Sequence, residues 1–207
     1  MGVPGKMSGL KTFVATKNLG KLGELRDIFA GTELDLDTYP LYAEPAEGET
    51  SYVENAAIKA HALRNQLVQA GVDGAVLADD SGLEVAALDG RPGVLSSRYQ
   101  GPDATWPVRR EALLAEMKDV PEEKRAAKFR CAVLLVLSDG SEVKGYGEVR
   151  GTIAGEEHGK FGFGYDPIFF YPPTGKTFAE LDDDAKNRVS HRGRAASALL
   201  SALRARG

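Results

Sequence analysis

Residues 75–78 form an uninterrupted apolar run that leads directly into two adjacent carboxylates, a small hydroxyl and a glycine, Asp79-Asp80-Ser81-Gly82. A strand that delivers paired acids from its carboxyl end into a glycine turn marks the crevice where α/β proteins seat ligands. Carboxylates at such a place suit a hard cation such as Mg²⁺. Adjacent like charges repel unless a cation or a proton lies between them. One acid of the pair is expected to cap the following turn, as Asp often does. The other is expected to face the cleft, because neighbours on a strand point to opposite sides.

The rest of the chain supplies the elements around that strand. Residues 12–15 read as a short strand, the polar stretch that follows as a turn, and Leu22, Leu25, Ile28 and Phe29 as the apolar face of a helix. Tyr52, Ala56, Ala60, Leu63 and Leu67 make one stripe of a second helix at about 52–70, opened by Ser51 and Glu54 in capping-box spacing. Residues 83–88 read as a strand, 90–101 as irregular chain turning at Pro92-Gly93, and a helix runs to about 118, capped by Thr105 or Asp103. Two long β-rich segments, 128–137 and 142–153, flank Ser138-Asp139-Gly140-Ser141, which predicts a hairpin and hence a mixed sheet. Glycines crowding 145–164 point to turns and close backbone approach. Residues 168–171 look like a buried strand, and a final helix at about 191–204 has Ser190 in cap position.

Bulk properties narrow the function classes. A chain of 207 residues supports one substantial core, so one domain over 1–207 is expected, with about 1–10 a disordered extension. A net charge of −4 and a pI near 5.5 argue against a general nucleic-acid binder, which needs a conspicuously basic face. Cys131 is the one cysteine, in an apolar run, and reads as a buried thiol in a reducing compartment. With no signal-peptide core at the start and no apolar span, the expectation is a cytoplasmic protein without a membrane partner.

Several side chains are candidates for chemistry. Thr16, Lys17, Asn18, Leu19, Gly20 and Lys21 open a helix, where unpaired N–H groups and the dipole favour a phosphate. The loop lacks the Walker spacing, with Leu22 where Ser or Thr would stand. Glu47 is a possible second metal ligand and otherwise a surface acid. Glu54 belongs to the capping box. Lys59, four residues after Asn55, reads as a solvated side chain, and the acidic run 182–184 as a solvated face. Phe163, Gly164, Tyr165 and Asp166 interleave rings with glycine, so a ring can lie flat on a planar base and Asp166 can accept from a base N–H, although a core role for the rings is equally open. Lys186, His191 and Arg192 bring donors together only if the chain bends between them, and Ser190 as a cap supplies that bend.

The order of the motifs carries a resemblance. Thr-x-Asn-x-Gly-Lys-x-x-Glu at 16–24, Tyr-x-Glu-Asn-Ala-x-x-Lys-Ala at 52–60, Ala-Asp-Asp-Ser-Gly-Leu at 78–83, Pro-Gly-x-x-Ser-x-Arg-Tyr at 92–99, Phe-Gly-Tyr-Asp-Pro-Ile-Phe at 163–169 and Ser-His-Arg at 190–192 resemble the inosine/xanthosine triphosphate pyrophosphatase family. The resemblance runs from about residue 12 to 203. It implies an α/β fold with a long twisted mixed sheet flanked by helices and a nucleotide cleft between two lobes. It also implies a Mg²⁺-dependent homodimeric hydrolase that converts ITP, dITP and XTP to the monophosphate and pyrophosphate. By position, Asp80 matches the general base and metal site and Glu47 the second acidic ligand. Residues 16–21 match the nucleotide loop, Ser81 a substrate contact and 163–166 the base-binding segment, and Lys186, His191 and Arg192 match the remaining contacts. Lys17 and Ser97 depart from the commoner residues. Lys21 and Lys186 are expected to neutralise the departing pyrophosphate, and His191 with Arg192 to face the 6-oxo group that adenine lacks. Two rivals remain: a pyrophosphatase for other modified nucleotides and a non-hydrolytic nucleotide sensor.

Overall fold

The computed structural model describes residues 9–206. The strands are β1 (Leu10–Val14), β2 (Leu34–Asp37), β3 (Ala75–Val85), β4 (Ala126–Val136), β5 (Glu142–Ile153), β6 (Phe169–Tyr171) and β7 (Lys176–Thr177). They form one sheet in the order β2-β1-β3-β4-β5-β6-β7. β1 is parallel to β2 and β3, and every later pairing is antiparallel, so the sheet is mixed. The helices are α1 (Leu19–Phe29), α2 (Tyr52–Gln69), α3 (Trp106–Glu116), α4 (Asp183–Val189) and α5 (His191–Arg204). Among the described residues no helix is long and apolar enough to cross a membrane. The expected extension at 1–10 is shortened by β1, which begins at Leu10, and residues 1–8 lie outside the described chain.

Local signals explain most boundaries. Asn18 caps α1 by accepting from the Lys21 N–H, and Ser51 caps α2 by accepting from the Glu54 N–H. Ser190 ends α4 and caps α5 with one extended residue, accepting from the Gly193 N–H, so the chain bends sharply between Lys186 and His191. At the β4–β5 turn the Asp139 carboxylate accepts from the Ser141 N–H at 2.8 Å. Thr105 stands in cap position before α3.

The interior divides along the long strands. α2 covers one face of the sheet over Val76, Ala78 and Leu134, and α1 and α5 cover the other over Leu77, Val133 and Val143. A separate cluster around Leu83, Phe129, Phe169 and Phe178 fills the far ends of β3 and β4. The two acids of β3 lie between these cores. α5 sits unusually low on β5, because a Cβ on Gly147 would come within 2.0 Å of the His191 carbonyl oxygen, and one on Gly145 within 2.2 Å of that of Ala195.

Candidate active site

β1 pairs with β3 only as far as Leu77, while β3 runs on to Val85. Beyond that point one edge of β3 faces the loop after β1, and the crevice forms there, outside the carboxyl end of a parallel strand. The expected turn at 80–82 is absent. Asp80, Ser81 and Gly82 pair with Ala132, Cys131 and Arg130 of β4, so the strand continues straight through, and the separate strand expected at 83–88 is its last part followed by a short 3-10 turn. Neither acid caps a turn. Strand alternation instead sends Asp79 and Ser81 toward α5 and Asp80 toward α2. Both carboxylates are buried, Asp79 at 2% and Asp80 at 5% exposure.

On the α2 face, Asn55 and Lys59, one turn apart on the helix, both reach Asp80. The Asn55 amide donates to Oδ2 at 3.1 Å and the Lys59 ammonium to Oδ1 at 3.0 Å. Asn55 also clasps the loop before α2, accepting from the Gly48 N–H at 2.8 Å and donating to the Gly48 carbonyl at 3.1 Å. Arg98 grips the same loop by donating to the Gly48 carbonyl at 2.9 Å. Held at both points, the loop brings the Glu47 carboxylate to 2.8 Å from the Lys59 ammonium. Lys59 is therefore no solvated side chain; it is 4% exposed and lies between two acids. Burial pushes the Asp80 carboxyl above its ordinary value, with Glu47 adding to the effect against the pull of Lys59 and Lys21. Mg²⁺ is commonly held by one or two carboxylates together with substrate phosphates. Two carboxylates converging on one buried cationic point fit that donor set, and among the described residues no larger cluster of metal-binding side chains occurs.

On the α5 face the arrangement is a chain of alternating charge. Asp79 Oδ2 receives the Lys21 ammonium at 3.4 Å and Arg192 Nε at 3.2 Å. Arg192 continues to Glu24, Glu24 to Lys186, and Lys186 to Asp166, whose carboxylate also accepts from the Phe163 N–H at 2.8 Å. Burial alone would raise the Asp79 carboxyl, but Lys21, Arg192 and Lys59 outweigh it and hold it far below the usual carboxylate range. Glu24, to which the sequence reading gave no role, is the buried hub of this chain. Its sequence signals are its place as the last fixed residue of the 16–24 motif and its position on α1 three residues after Lys21, on the same side of the helix.

Asn18, Lys21, Ser81, Phe163, Tyr165, Lys186, His191 and Arg192 line one narrow slot on this face. The Phe163 ring sits against Gly20, where an added Cβ would leave only 2.9 Å, with the Lys186 and Arg192 cations 5.2 and 5.6 Å from its centroid. Tyr165 donates to the Ser96 carbonyl at 3.1 Å and meets Trp106 edge to face, so it braces the slot. His191 stacks on Phe129 with centroids 4.6 Å apart, and its Nδ1 is buried without a partner. Burial, reinforced by Arg192 and Lys186, pushes the imidazole well below its ordinary pKa.

Some expected pairings are regrouped. His191 and Arg192 both line the slot, with Arg192 engaged at Nε by Asp79, at one terminal nitrogen by Glu24 and at the other by Ser81 Oγ at 2.9 Å. Lys186 is engaged with the base-side segment through Asp166, and the cation beside Asp80 is Lys59. In the first loop, Thr16 Oγ accepts from the Asn18 N–H and the Lys17 N–H donates to Glu44, both at 3.1 Å. The Lys17 and Leu19 side chains point outward, Leu19 being 81% exposed.

Residues 12–202 match the profile of the Ham1 family. The dITP/XTP pyrophosphatase of Geobacter sulfurreducens is 45% identical over 194 residues, 92% of this chain and 94% of that protein. The dITP/XTP pyrophosphatase of Escherichia coli K12 is 41% identical over 199 residues, 94% and 98% of the two chains. The solved structure of a HAM1 protein from Coxiella burnetii superposes with a TM-score of 0.77 at 39% identity, covering 95% of this chain and 99% of that one. With all of β2 to β7, most of β1 and both faces of β3 inside the matched span, this chain belongs to the Ham1 family.

Proposed function

We propose that the chain is a Mg²⁺-dependent nucleoside-triphosphate pyrophosphatase acting on ITP, dITP and XTP and releasing the monophosphate and pyrophosphate. The relatives named dITP/XTP pyrophosphatase support the substrate class. The observation that carries the reading is the geometry of the pair on β3, where Asp80 meets Lys59 opposite Glu47 in the crevice while Asp79 is tied to Lys21 and Arg192, an arrangement that pushes the two carboxyls in opposite directions. Two acids pushed apart in this way take different roles, and the raised one is suited to accept a proton from water.

Asp80 and Glu47 would hold the metal, which when bound would neutralise phosphate charge and lower the pKa of attached water. The chain's own residues do the positioning. Asn55 orients the Asp80 carboxylate, leaving it to accept the proton of a water attacking the phosphorus. Lys21, at the start of α1, is positioned for the triphosphate and, with the helix N-terminus, offsets its charge. The purine would enter the slot beside Phe163, where the unpartnered His191 Nδ1, neutral at working pH, can donate to a 6-oxo group as one tautomer. Adenine, with an amino group there, would leave donors opposed at about 1–3 kcal/mol.

The test is pyrophosphate release from ITP, XTP, ATP and GTP with and without Mg²⁺. Turnover of ITP and XTP well above ATP, abolished by chelation, is expected; equal rates on all four would remove the specificity assignment. We also propose one domain working as a homodimer in a reducing, cytoplasmic setting, consistent with the buried free thiol of Cys131. The Trp106 ring packs edge to face on Tyr165, while Val108 on the same helix and Tyr146 on β5 are exposed. Light scattering at micromolar concentration should give twice the 22.1 kDa chain mass.

A further inference from the structure

We infer that Lys59 is an internal counter-ion of the metal site: its ammonium keeps Asp80 and Glu47 assembled without metal and competes with the divalent cation for the same oxygens. The inference rests on the reading of Asp80 and Glu47 as the metal ligands.

The geometry is specific. One buried nitrogen lies 2.8 Å from Glu47 and 3.0 Å from Asp80, so the two carboxylates face each other across a single point. Those acids arise on different elements, a loop and the central strand, and without a cation between them their charges would drive the loop outward. Asn55 and Arg98 fix the backbone of the loop, while Lys59 alone among the described cations bridges both side chains within 3.0 Å. An ammonium is a compact point charge on a flexible stem, able to give way without any backbone movement. The ammonium holds Asp80 Oδ1 and Glu47 Oε1, and a divalent cation held between the same two carboxylates would supply the charge that Lys59 now supplies and would repel it. Lys59 would then withdraw from one or both acids when Asp80 and Glu47 hold the cation. The displaced charge remains in the crevice, where it can meet an incoming phosphate. Weak metal binding to the empty enzyme and tight binding in the presence of nucleotide follow from this exchange.

The test is Mg²⁺ binding in the absence of nucleotide, read by isothermal titration calorimetry and by thermal shift. Wild type is compared with Lys59→Met, Lys59→Gln and Asp80→Asn. Both lysine variants should melt below wild type in chelator, bind Mg²⁺ about tenfold or more tightly once the competing charge is gone, and show the larger Mg²⁺-dependent rise in Tm. Lys59→Gln keeps a polar head at the site, so it serves if Lys59→Met does not fold. If Asp80→Asn abolishes the wild-type response but the lysine variants bind Mg²⁺ no more tightly than wild type, the site stands and the counter-ion role is overturned. If the Mg²⁺ response is indifferent to Asp80→Asn, the ligand assignment itself falls, and this inference with it.

Discussion

The two faces of β3 shift the same side chain in opposite directions. Asp79 lies in a line of alternating charges from Lys21 through Arg192, Glu24 and Lys186 to Asp166, in which each acid touches at least one cation. Asp80 shares a single ammonium with Glu47 and takes its other contact from a neutral amide. Both are equally desolvated to within a few percent of exposure, so partner charge rather than depth decides their ionisation. The cations around Asp79 gather on Oδ2 and leave Oδ1 buried without a partner, whereas both oxygens of Asp80 are engaged, one by an ammonium and one by an amide.

Paired substitutions at 79 and 80 give the most direct way to break this comparison. Asp80→Asn keeps one acceptor oxygen, so it can hold either the Asn55 or the Lys59 contact and sets its NH2 against the other donor. It should lose about 1–3 kcal/mol yet retain a cooperative fold, while kcat falls about 10²–10⁴-fold; a sensor without turnover would show nothing to lose. Asp79→Asn removes one acid from between the partly exposed Lys21 and the buried Arg192 and should cost about 3–5 kcal/mol in denaturant unfolding. An unstable Asp80→Asn together with a stable, inactive Asp79→Asn would reverse the roles assigned here.

Acid titration sharpens the picture of the α5 face. His191 has a folded pKa below its unfolded value of about 6.5, so above that pH both states are neutral and stability is full. As pH falls below about 6.5 the unfolded chain binds a proton that the folded chain refuses, and stability drops by up to about 1.4 kcal/mol per pH unit. His191→Gln should flatten that slope between about pH 6.5 and 5. Unchanged slopes in urea titrations across that window would show that the imidazole protonates in the folded state.

Much of this fold is written locally. The caps at Asn18, Ser51 and Ser190, the Asp139 turn and the apolar stripe of α2 are short-range patterns, and they mark element ends closely. β2 was not legible, because four residues alternating Leu and Asp on the sheet edge carry little signal. α4 hid behind its acidic start, which reads as surface although Asp182 caps the helix by accepting from the Ala185 N–H. The strand through 79–82 depends on β4, some fifty residues on, to pair what looks like a turn. The site's cations and acids were legible as residues and not as partners. Lys59 and Glu24 look like ordinary helix-surface charges until tertiary contact buries them, Glu24 against residues more than 160 positions away.

The bare backbone at Gly147 reaches further than its size implies. His191 and Arg192 open α5, and the carbonyl of His191 rests where a side chain at 147 would stand. Position 147 thus works as a depth stop: any bulk added there would lift the imidazole and the guanidinium together out of the groove they help shape. Purine discrimination would then be tuned from beneath the sheet, by a residue with no functional group of its own.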